Sequence, residues 1–383
     1  TNLKKLESWV ESEKNLVNKA ILHSLLAREY SDYMRHNRRQ LSDRTALDVD
    51  EVPADIREWS TNLFVAKVDE HNLASLKDSV CLLEVSSKEY VPFVELEDGS
   101  RFYGHDMYHL LAARAVDTYQ LLDGFQVDTL QRARINSVYT NMINAYRHRV
   151  GAEDAVVLAT LDYWKWKSTG GGISREPYAT YRERKERLDK EYLEVLDNLI
   201  REYGGREICA EVYIDKAGWL RGLGASYMDE VLQVCDKGVK RYPAYKRINE
   251  LRNIRESVLQ PYLNVSTQES VYPGDSLELN VGYRNLKGFT LNLYRTNLSE
   301  VPWMDTGINK AFYQKHARKL SAIHFELKPS DSKSGKEGEL LSGLQRMVLK
   351  CHVPDELGVY ILQIVPDAAT ARTAEHFLVA SRC

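Results

Sequence analysis

The spacing of apolar residues changes near residue 262 of this 383-residue chain, and this change constrains the fold more than any other feature. Before it, apolar side chains recur every three or four residues, which is the spacing of amphipathic helices. After it, they alternate with polar side chains, which is typical of strands with one buried face. Because the chain is too long for one ordinary core, we expect two domains. The predicted domains are an all-helical domain over 1–261 and a β-sandwich over 262–383.

The first part of the chain is predicted to hold a succession of helices joined by short turns. The first helix carries the apolar residues Leu16, Leu25 and Tyr30, and Pro53 is predicted to start the second. Successive helices of this kind are typical of an α-solenoid, with tetratricopeptide-like stacking as an analogy, because no clean repeat is present. The predicted helices span 13–41, 53–73, 105–123, 127–149, 152–168, 176–203, 207–221, 226–241 and 244–260.

The last part of the chain is predicted to form six or seven strands. Leu277, Leu279, Val281 and Tyr283 alternate with polar residues, and a second alternating run follows the turn at 285–288, which predicts a hairpin. A short helix is expected within 305–319. This number of strands in about 120 residues is typical of an immunoglobulin-like or fibronectin-III-like sandwich.

Charge and composition argue against two classes of partner. The chain has 52 basic and 55 acidic side chains and a net charge of -3, so a broad positive surface for nucleic acid is not expected. No apolar run approaches the roughly 20 residues that span a bilayer, so no membrane span is expected. The chain begins at Thr1 without Met and ends at Cys383 directly after a strand-like run. We therefore expect it to be part of a longer protein.

Two segments of the strand region carry a family resemblance. Val271-Tyr272-Pro273-Gly274-Asp275-Ser276-Leu277, with Val281-Gly282-Tyr283-Arg284-Asn285-Leu286 after it, resembles the large α2-macroglobulin-like proteins of Bacteroidetes-type bacteria. Pro354-Asp355-Glu356-Leu357-Gly358-Val359-Tyr360 is similar to the turn and penultimate strand of a macroglobulin domain. The order of helices followed by a sandwich also resembles the amino-terminal region of that family.

The resemblance implies a protease trap, in which a bait segment is cut and, in many members, an internal thioester captures the protease. The thioester requires Cys-x-Glu-Gln, and Cys209-Ala210-Glu211-Val212 lacks the glutamine. The resemblance therefore implies a non-catalytic amino-terminal scaffold or docking region of an exported, periplasmic or cell-envelope protease inhibitor. Its implied partners are proteins, namely further macroglobulin domains of the same chain and target proteases.

The aromatic pair Trp164 and Trp166 is a candidate protein-contact site. Aromatic side chains favour interfaces, but alternate residues of a helix point in different directions, so part of this set must belong to a core. An alternative function follows from the same pair, because a tryptophan platform suits a cell-envelope module that binds peptide or glycan.

A second alternative is a metal-dependent enzyme that uses His105 and His109. Two histidines four residues apart on a helix can share one metal ion, although here an aspartate stands where a catalytic glutamate is usual and no third ligand is marked. Histidines at the surface or at a helix start are the favoured explanation of this spacing. Since no nucleophile motif or phosphate-binding loop is present, we expect no catalytic residue, no metal and no cofactor.

Overall fold

The computed structural model describes most of the chain, and it contains a helical part followed by a β-sheet part. The change from helix to strand occurs at Tyr262, where the apolar spacing predicts it. Within the described residues, no helix combines the length and the apolar character that crossing a membrane would require. The described residues are 2–42, 44, 52–91, 94, 106–125, 127–169, 178–297, 310–327 and 345–381.

Each predicted helix has a counterpart among the described residues, although its ends differ by some residues, and the helices Asn2–Ser12 and Ser79–Glu84 lie outside the predicted ranges. Three short 3-10 turns, Ile56–Glu58, Ser87–Tyr90 and Ala225–Tyr227, lie between them. The helices are α1 (Asn2–Ser12), α2 (Leu16–His36), α3 (Arg38–Ser42), α4 (Thr61–Leu76), α5 (Ser79–Glu84), α6 (Met107–Gln120), α7 (Asp128–Arg147), α8 (Glu153–Ser168), α9 (Tyr178–Tyr203), α10 (Cys209–Leu223), α11 (Met228–Arg241), α12 (Asn249–Leu259) and α13 (Lys310–His316).

The first two predicted helices begin later in the structure than their sequence patterns indicate. The predicted first helix, 13–41, begins at Leu16, because the side-chain oxygen of Asn15 accepts hydrogen bonds from the backbone N–H groups of Val17 and Asn18 and so caps α2. Pro53 does not start the second helix, because α4 begins only at Thr61. The spacing of apolar residues alone does not identify the residue at which a helix begins.

The strands form two sheets that share one apolar core. The three-stranded sheet has the order β1-β3-β6, and the five-stranded sheet has the order β2-β8-β7-β4-β5. Leu279 and Val281 of one sheet and Leu291 and Ile364 of the other belong to the same buried cluster. The strands are β1 (Tyr262–Ser266), β2 (Ser270–Val271), β3 (Ser276–Arg284), β4 (Gly288–Thr296), β5 (Ala317–Glu326), β6 (Gln345–His352), β7 (Gly358–Pro366) and β8 (Ala374–Ala380).

The predicted hairpin of β3 and β4 is wrong, although both strands are where the pattern indicates. β3 pairs with β1 and β6, whereas β4 pairs with β5 and β7. The chain crosses from one sheet to the other between them, with Asn285 at a φ of 53° and Leu286 buried. Alternation identifies the buried face of each strand, but it does not identify the strand's neighbours.

The chain divides into two compact units. One unit contains Thr1–Val212 with Tyr245–Arg247, and the other contains Tyr213–Ala244 with Ile248–Cys383. The second unit therefore includes helical residues as well as the sheets. We call them the helical unit and the two-sheet unit. The predicted domain boundary at 261 and 262 coincides with the change of secondary structure, and as a division into folding domains it stays a prediction.

Candidate functional site

Trp164 and Trp166 lie in α8, and each contacts an aromatic side chain of a neighbouring helix. The Trp164 ring stacks on Tyr192 of α9, with 6.4 Å between ring centroids and 3° between ring planes. Trp166 lies 5.9 Å, centroid to centroid, from Tyr139 of α7. Both tryptophans are only partly buried. The pair therefore packs α8 against α7 and α9 and keeps some exposed ring surface, and its role in binding protein stays a prediction.

A lysine lies over the Trp164 ring. The Lys167 ammonium nitrogen is 4.0 Å from the ring centroid and 3.8 Å from a carboxylate oxygen of Glu191. A cation above a tryptophan face is attracted by the ring's electron density. Since Lys167 already covers this face and pairs with Glu191, a planar ligand would have to displace it.

The part of the histidine motif that the structure describes, Asp106 to His109, has a structural explanation. Asp106 caps α6, because its side chain accepts a hydrogen bond from the backbone N–H of His109 at 2.8 Å. The Tyr146 hydroxyl donates to both oxygens of the same carboxylate, at 3.1 and 3.0 Å. Burial raises the pKa of Asp106 above its usual value. The carboxylate is thus already engaged in holding α6 to α7, and His105 lies outside the described residues.

A second pair of histidines joins α2 to α4. The Nδ1 atoms of His23 and His71 are 2.9 Å apart, so one ring must donate and the other accept. Burial lowers the pKa of both rings, and for His71 it lowers the pKa to about 4. Tyr30 stacks on His71 at 5.7 Å between centroids. No group of three potential metal ligands occurs in the part of the chain that the structure describes.

The helical unit contains a large groove that the sequence pattern does not predict. Residues of α1, α2, α6 and the turn Ser87–Tyr90 line it, and its volume is about 820 Å³. This volume lies within the range of small-molecule and peptide sites. Its lining residues are Trp9, Ser12, Glu13, Asn18, Ile21, Leu22, Leu25, Tyr90, Val94, Met107, Leu110, Leu111 and Arg114.

Large apolar side chains remain exposed at the groove. Trp9 is 55% exposed and Leu25 is 38% exposed. Leu16, also in the predicted apolar stripe of the first helix, is 49% exposed. The stripe is therefore only partly buried, since Tyr30 is 1% exposed. Exposed apolar side chains that surround a groove are typical of interaction sites.

Arg114 is the cation among the described residues that line the groove. Its Nε donates to the Ser24 hydroxyl at 2.9 Å, and it forms no ion pair with any residue that the structure describes. Burial, together with nearby Arg28, lowers the pKa of the Arg114 guanidinium below its ordinary value. A ligand carboxylate would therefore meet a partly dehydrated cation, which strengthens a charge-assisted hydrogen bond.

The groove was missed from sequence because its walls come from distant parts of the chain. Trp9 and Arg114 both line it, although more than 100 residues separate them. The sequence pattern that could have indicated the groove is the number of apolar residues in α1 and α2, because it is larger than one buried helix face requires.

Comparisons with known proteins add little to this picture. No protein-family model matches the chain, and no curated protein matches it. Among solved structures, the S-layer protein rSbsC matches at 12% identity over 95% of this chain and 46% of that chain, with a TM-score of 0.15. A structure of domains 1–6 of the surface layer protein SbsC matches at 11% identity with the same coverage and a TM-score of 0.16. This chain thus spans less than half of either protein, and at such TM-scores neither match carries an argument.

Proposed function

We propose that this chain is the non-catalytic amino-terminal scaffold and docking region of an exported α2-macroglobulin-like protease inhibitor. In this proposal the helices form a solenoid-like stack of the tetratricopeptide kind. The two sheets correspond to a macroglobulin domain of the immunoglobulin and fibronectin-III type. The protein would act in the periplasm or attached to the cell envelope.

The observation that carries the proposal is that the two resembling segments contact each other. The backbone N–H of Gly274 donates to the carbonyl of Pro354 at 3.3 Å, and the N–H of Val353 donates to the carbonyl of Asp275 at 2.9 Å. The two segments are about 80 residues apart in sequence. Their contact means that the resemblance rests on one joined structural feature rather than on two unrelated matches.

The joined turns also require a glycine. Gly274 has a φ of 81°, a conformation that residues with a Cβ rarely adopt. A Cβ at this position would lie 2.7 Å from a carboxylate oxygen of Asp355. Both partners of this close approach belong to the resembling segments. The close approach of Gly274 and Asp355 therefore supports the resemblance through the geometry of the turns, in addition to the number of strands.

The groove beside Trp9 gives the docking role a surface. Its apolar walls and the unpaired charge of Arg114 suit a helical segment of a partner protein that carries apolar side chains and one carboxylate. A flat polar surface would offer no comparable apolar area to remove from water when a partner binds. We assign this partner segment to a further domain of the same protein.

Sequencing of the coding region beyond Cys383 tests the family assignment. Further sandwich-sized sets of strands and a Cys-x-Glu-Gln motif, or its degenerate form, would support it. A stop codon shortly after Cys383 would contradict it.

A biochemical test of the purified chain is independent of the sequencing. The chain should neither cleave peptide bonds nor inhibit proteases on its own. If the chain alone binds one metal ion per molecule and catalyses a reaction that depends on this ion, the alternative that uses His105 and His109 would be favoured instead.

A titration of the chain with the downstream domains tests the groove. Trp9→Ala should weaken binding at least tenfold, because an exposed tryptophan at an interface is a frequent source of binding energy. Arg114→Gln should weaken it by a similar factor. Leu73→Ala is the matched control, since Leu73 is 48% exposed on α4 and does not line the groove. Equal affinity of all three variants would show that docking uses another surface.

A further inference from the structure

The outer face of the three-stranded sheet contains a depression that is lined by both polar and apolar groups. Its volume is about 610 Å³. All its lining residues belong to β1, β3 and β6, so it lies on one sheet of one unit. The lining residues are Tyr262, Asn264, Ser266, Asn280, Val281, Gly282, Arg346, Met347 and Val348.

The strand register explains the shape of the depression. Gly282 lies on the central strand β3, opposite Asn264 of β1 on one side and Arg346 of β6 on the other. Two residues earlier on the same face, Asn280 lies between Ser266 and Val348. Because glycine has no side chain, the backbone at Gly282 forms the base of the depression, and larger side chains surround it.

The polar side chains around Gly282 are available to a ligand. Asn264, Asn280 and Arg346 form no side-chain hydrogen bond or ion pair with the described residues. All three are exposed. Elsewhere on this face, Lys350 pairs with Glu278 at 3.5 Å. Among the described residues, the lining of the depression therefore includes one unpaired cation, two free carboxamides and no carboxylate.

These groups match the chemistry of an acidic sugar. A carboxamide donates and accepts at once, which suits the neighbouring hydroxyls of a sugar ring. Arg346 offers the planar donor pair that binds a carboxylate. Tyr262 is 43% exposed at the edge of the depression and provides an aromatic face for the apolar side of a sugar.

We propose that this face binds an acidic saccharide of the uronic acid class, with Arg346 on the carboxylate and Asn264 and Asn280 on the hydroxyls. A protein partner suits this face less well, because Tyr262 and Val348 are its two large exposed apolar side chains and the core of a protein interface is more apolar. The proposal does not rest on the protease-trap function. It also differs from the tryptophan-platform alternative, since it places glycan recognition on the sheet.

Calorimetric titration of the full chain with tri-galacturonic acid tests the proposal, with maltotriose as the neutral probe. Wild type should bind the acidic trisaccharide saturably and the neutral one at least tenfold more weakly. Arg346→Gln should weaken binding of the acidic probe about tenfold or more, as expected for loss of a charge-assisted hydrogen bond. Gly282→Thr should abolish it by filling the depression, while the circular dichroism spectrum stays unchanged.

Lys350→Gln is the matched control, because it removes the same charge from the same strand and face outside the depression. It should leave the affinity within twofold of wild type. An equal loss in Lys350→Gln and Arg346→Gln would indicate general charge attraction and overturn the proposal. Absence of saturable binding to wild type, or equal affinity for the two trisaccharides, would overturn it as well.

Discussion

The helical unit and the two-sheet unit have cores of different chemistry. Between the sheets, the buried cluster consists of apolar side chains, such as Phe289, Leu291 and Ile364. In the helical unit, buried side chains include titratable groups, among them His71 and Asp106. The sheet core therefore depends on volume and apolar area, whereas the helical core depends also on pairs of polar groups that satisfy each other.

A second polar network in the helical unit shows the same principle. Arg134 donates to both carboxylate oxygens of Asp69 at 2.7 Å each, and the Tyr119 hydroxyl donates to Asp69 at 2.8 Å. These three side chains connect α4, α6 and α7. Hydrogen-bonded groups fix the orientation of neighbouring helices more narrowly than apolar contacts do. The comparison predicts that the two units respond differently to truncation, to loss of charge and to pH.

The largest expected effect is a truncation in the sheet core. Phe289→Ala should lower the free energy of unfolding of the two-sheet unit by about 4 kcal/mol, because Phe289 is fully buried and its removal leaves a cavity. Hydrogen exchange should show lost protection in β4 and β7 and unchanged protection in α4 and α6. Ile323→Ala, at a position that is 47% exposed, should cost less than about 0.5 kcal/mol. Equal loss of protection in both units would contradict the division.

A loss of charge in the helical unit should come next. Arg247 donates to a carboxylate oxygen of Glu211 at 2.8 Å, and the Glu211 side chain is only 1% exposed. Arg247→Met should cost about 3 kcal/mol, because it leaves a buried carboxylate without this partner. Adding Glu211→Gln should recover part of the loss in a double-mutant cycle followed by urea unfolding. A cycle with no coupling energy would show that the pair does not stabilise the unit.

The pH dependence of the helical unit should be a smaller effect. His71 has an ordinary pKa of 6.5 and a pKa of about 4 in the fold. As the pH falls, the unfolded chain binds this proton first, so stability is lost between about pH 6.5 and pH 4. By about pH 5 the expected loss is about 2 kcal/mol. Charged groups near the pair are Glu70, which favours protonation, and Lys19 and Lys67, which oppose it.

His71→Gln isolates the contribution of this ring, since glutamine can still hydrogen-bond to His23 without titrating in this range. Hydrogen exchange of α2 and α4, measured at several pH values, should show a weaker pH dependence in this variant than in wild type. Exchange in β4 and β7 should be equal in the two proteins. An identical pH dependence of α2 and α4 in both would contradict the assignment to His71.

The smallest effect concerns a helix start. Asn15→Ala should cost about 1 kcal/mol, because it removes the acceptor for the Val17 and Asn18 N–H groups at the start of α2. Asn15→Asp is the control and should be neutral or slightly stabilising, since aspartate keeps the cap and suits the positive end of the helix dipole. Urea unfolding monitored by circular dichroism measures both. A cost above that of Arg247→Met would contradict the order proposed here.

The prediction that the cysteines are buried is confirmed for two of the four cysteines that the structure describes. The five cysteines are widely scattered and form no Cys-x-x-Cys pair, which predicts buried thiols. Cys209 and Cys235 are buried. Cys81 and Cys351 are free but partly exposed, and Cys383 lies outside the described residues. Burial raises the pKa of the Cys235 thiol to about 12, which keeps it protonated and unreactive.

Much of the secondary structure could be predicted because it depends on local spacing. The apolar stripe of α9 predicts a buried face, and Leu188, Tyr192 and Leu196 of this stripe are buried, whereas Val195 and Ile200 are only partly buried. The short helix expected within 305–319 is α13, Lys310–His316. The candidate sites were less predictable. Trp164 and Trp166 were found as an aromatic pair, but only the structure showed that each ring packs on a neighbouring helix.

The amino-acid sequence alone determined where helix changes to strand and which face of each element is buried, because both follow from the spacing of apolar residues within a few turns or strand residues. The tertiary structure decided which strands pair, as the separation of β3 from β4 into different sheets shows. It also decided which polar groups meet, such as His23 with His71, and which apolar residues remain exposed at the groove. Contacts between distant residues depend on the packing of whole elements, and no local pattern specifies that packing.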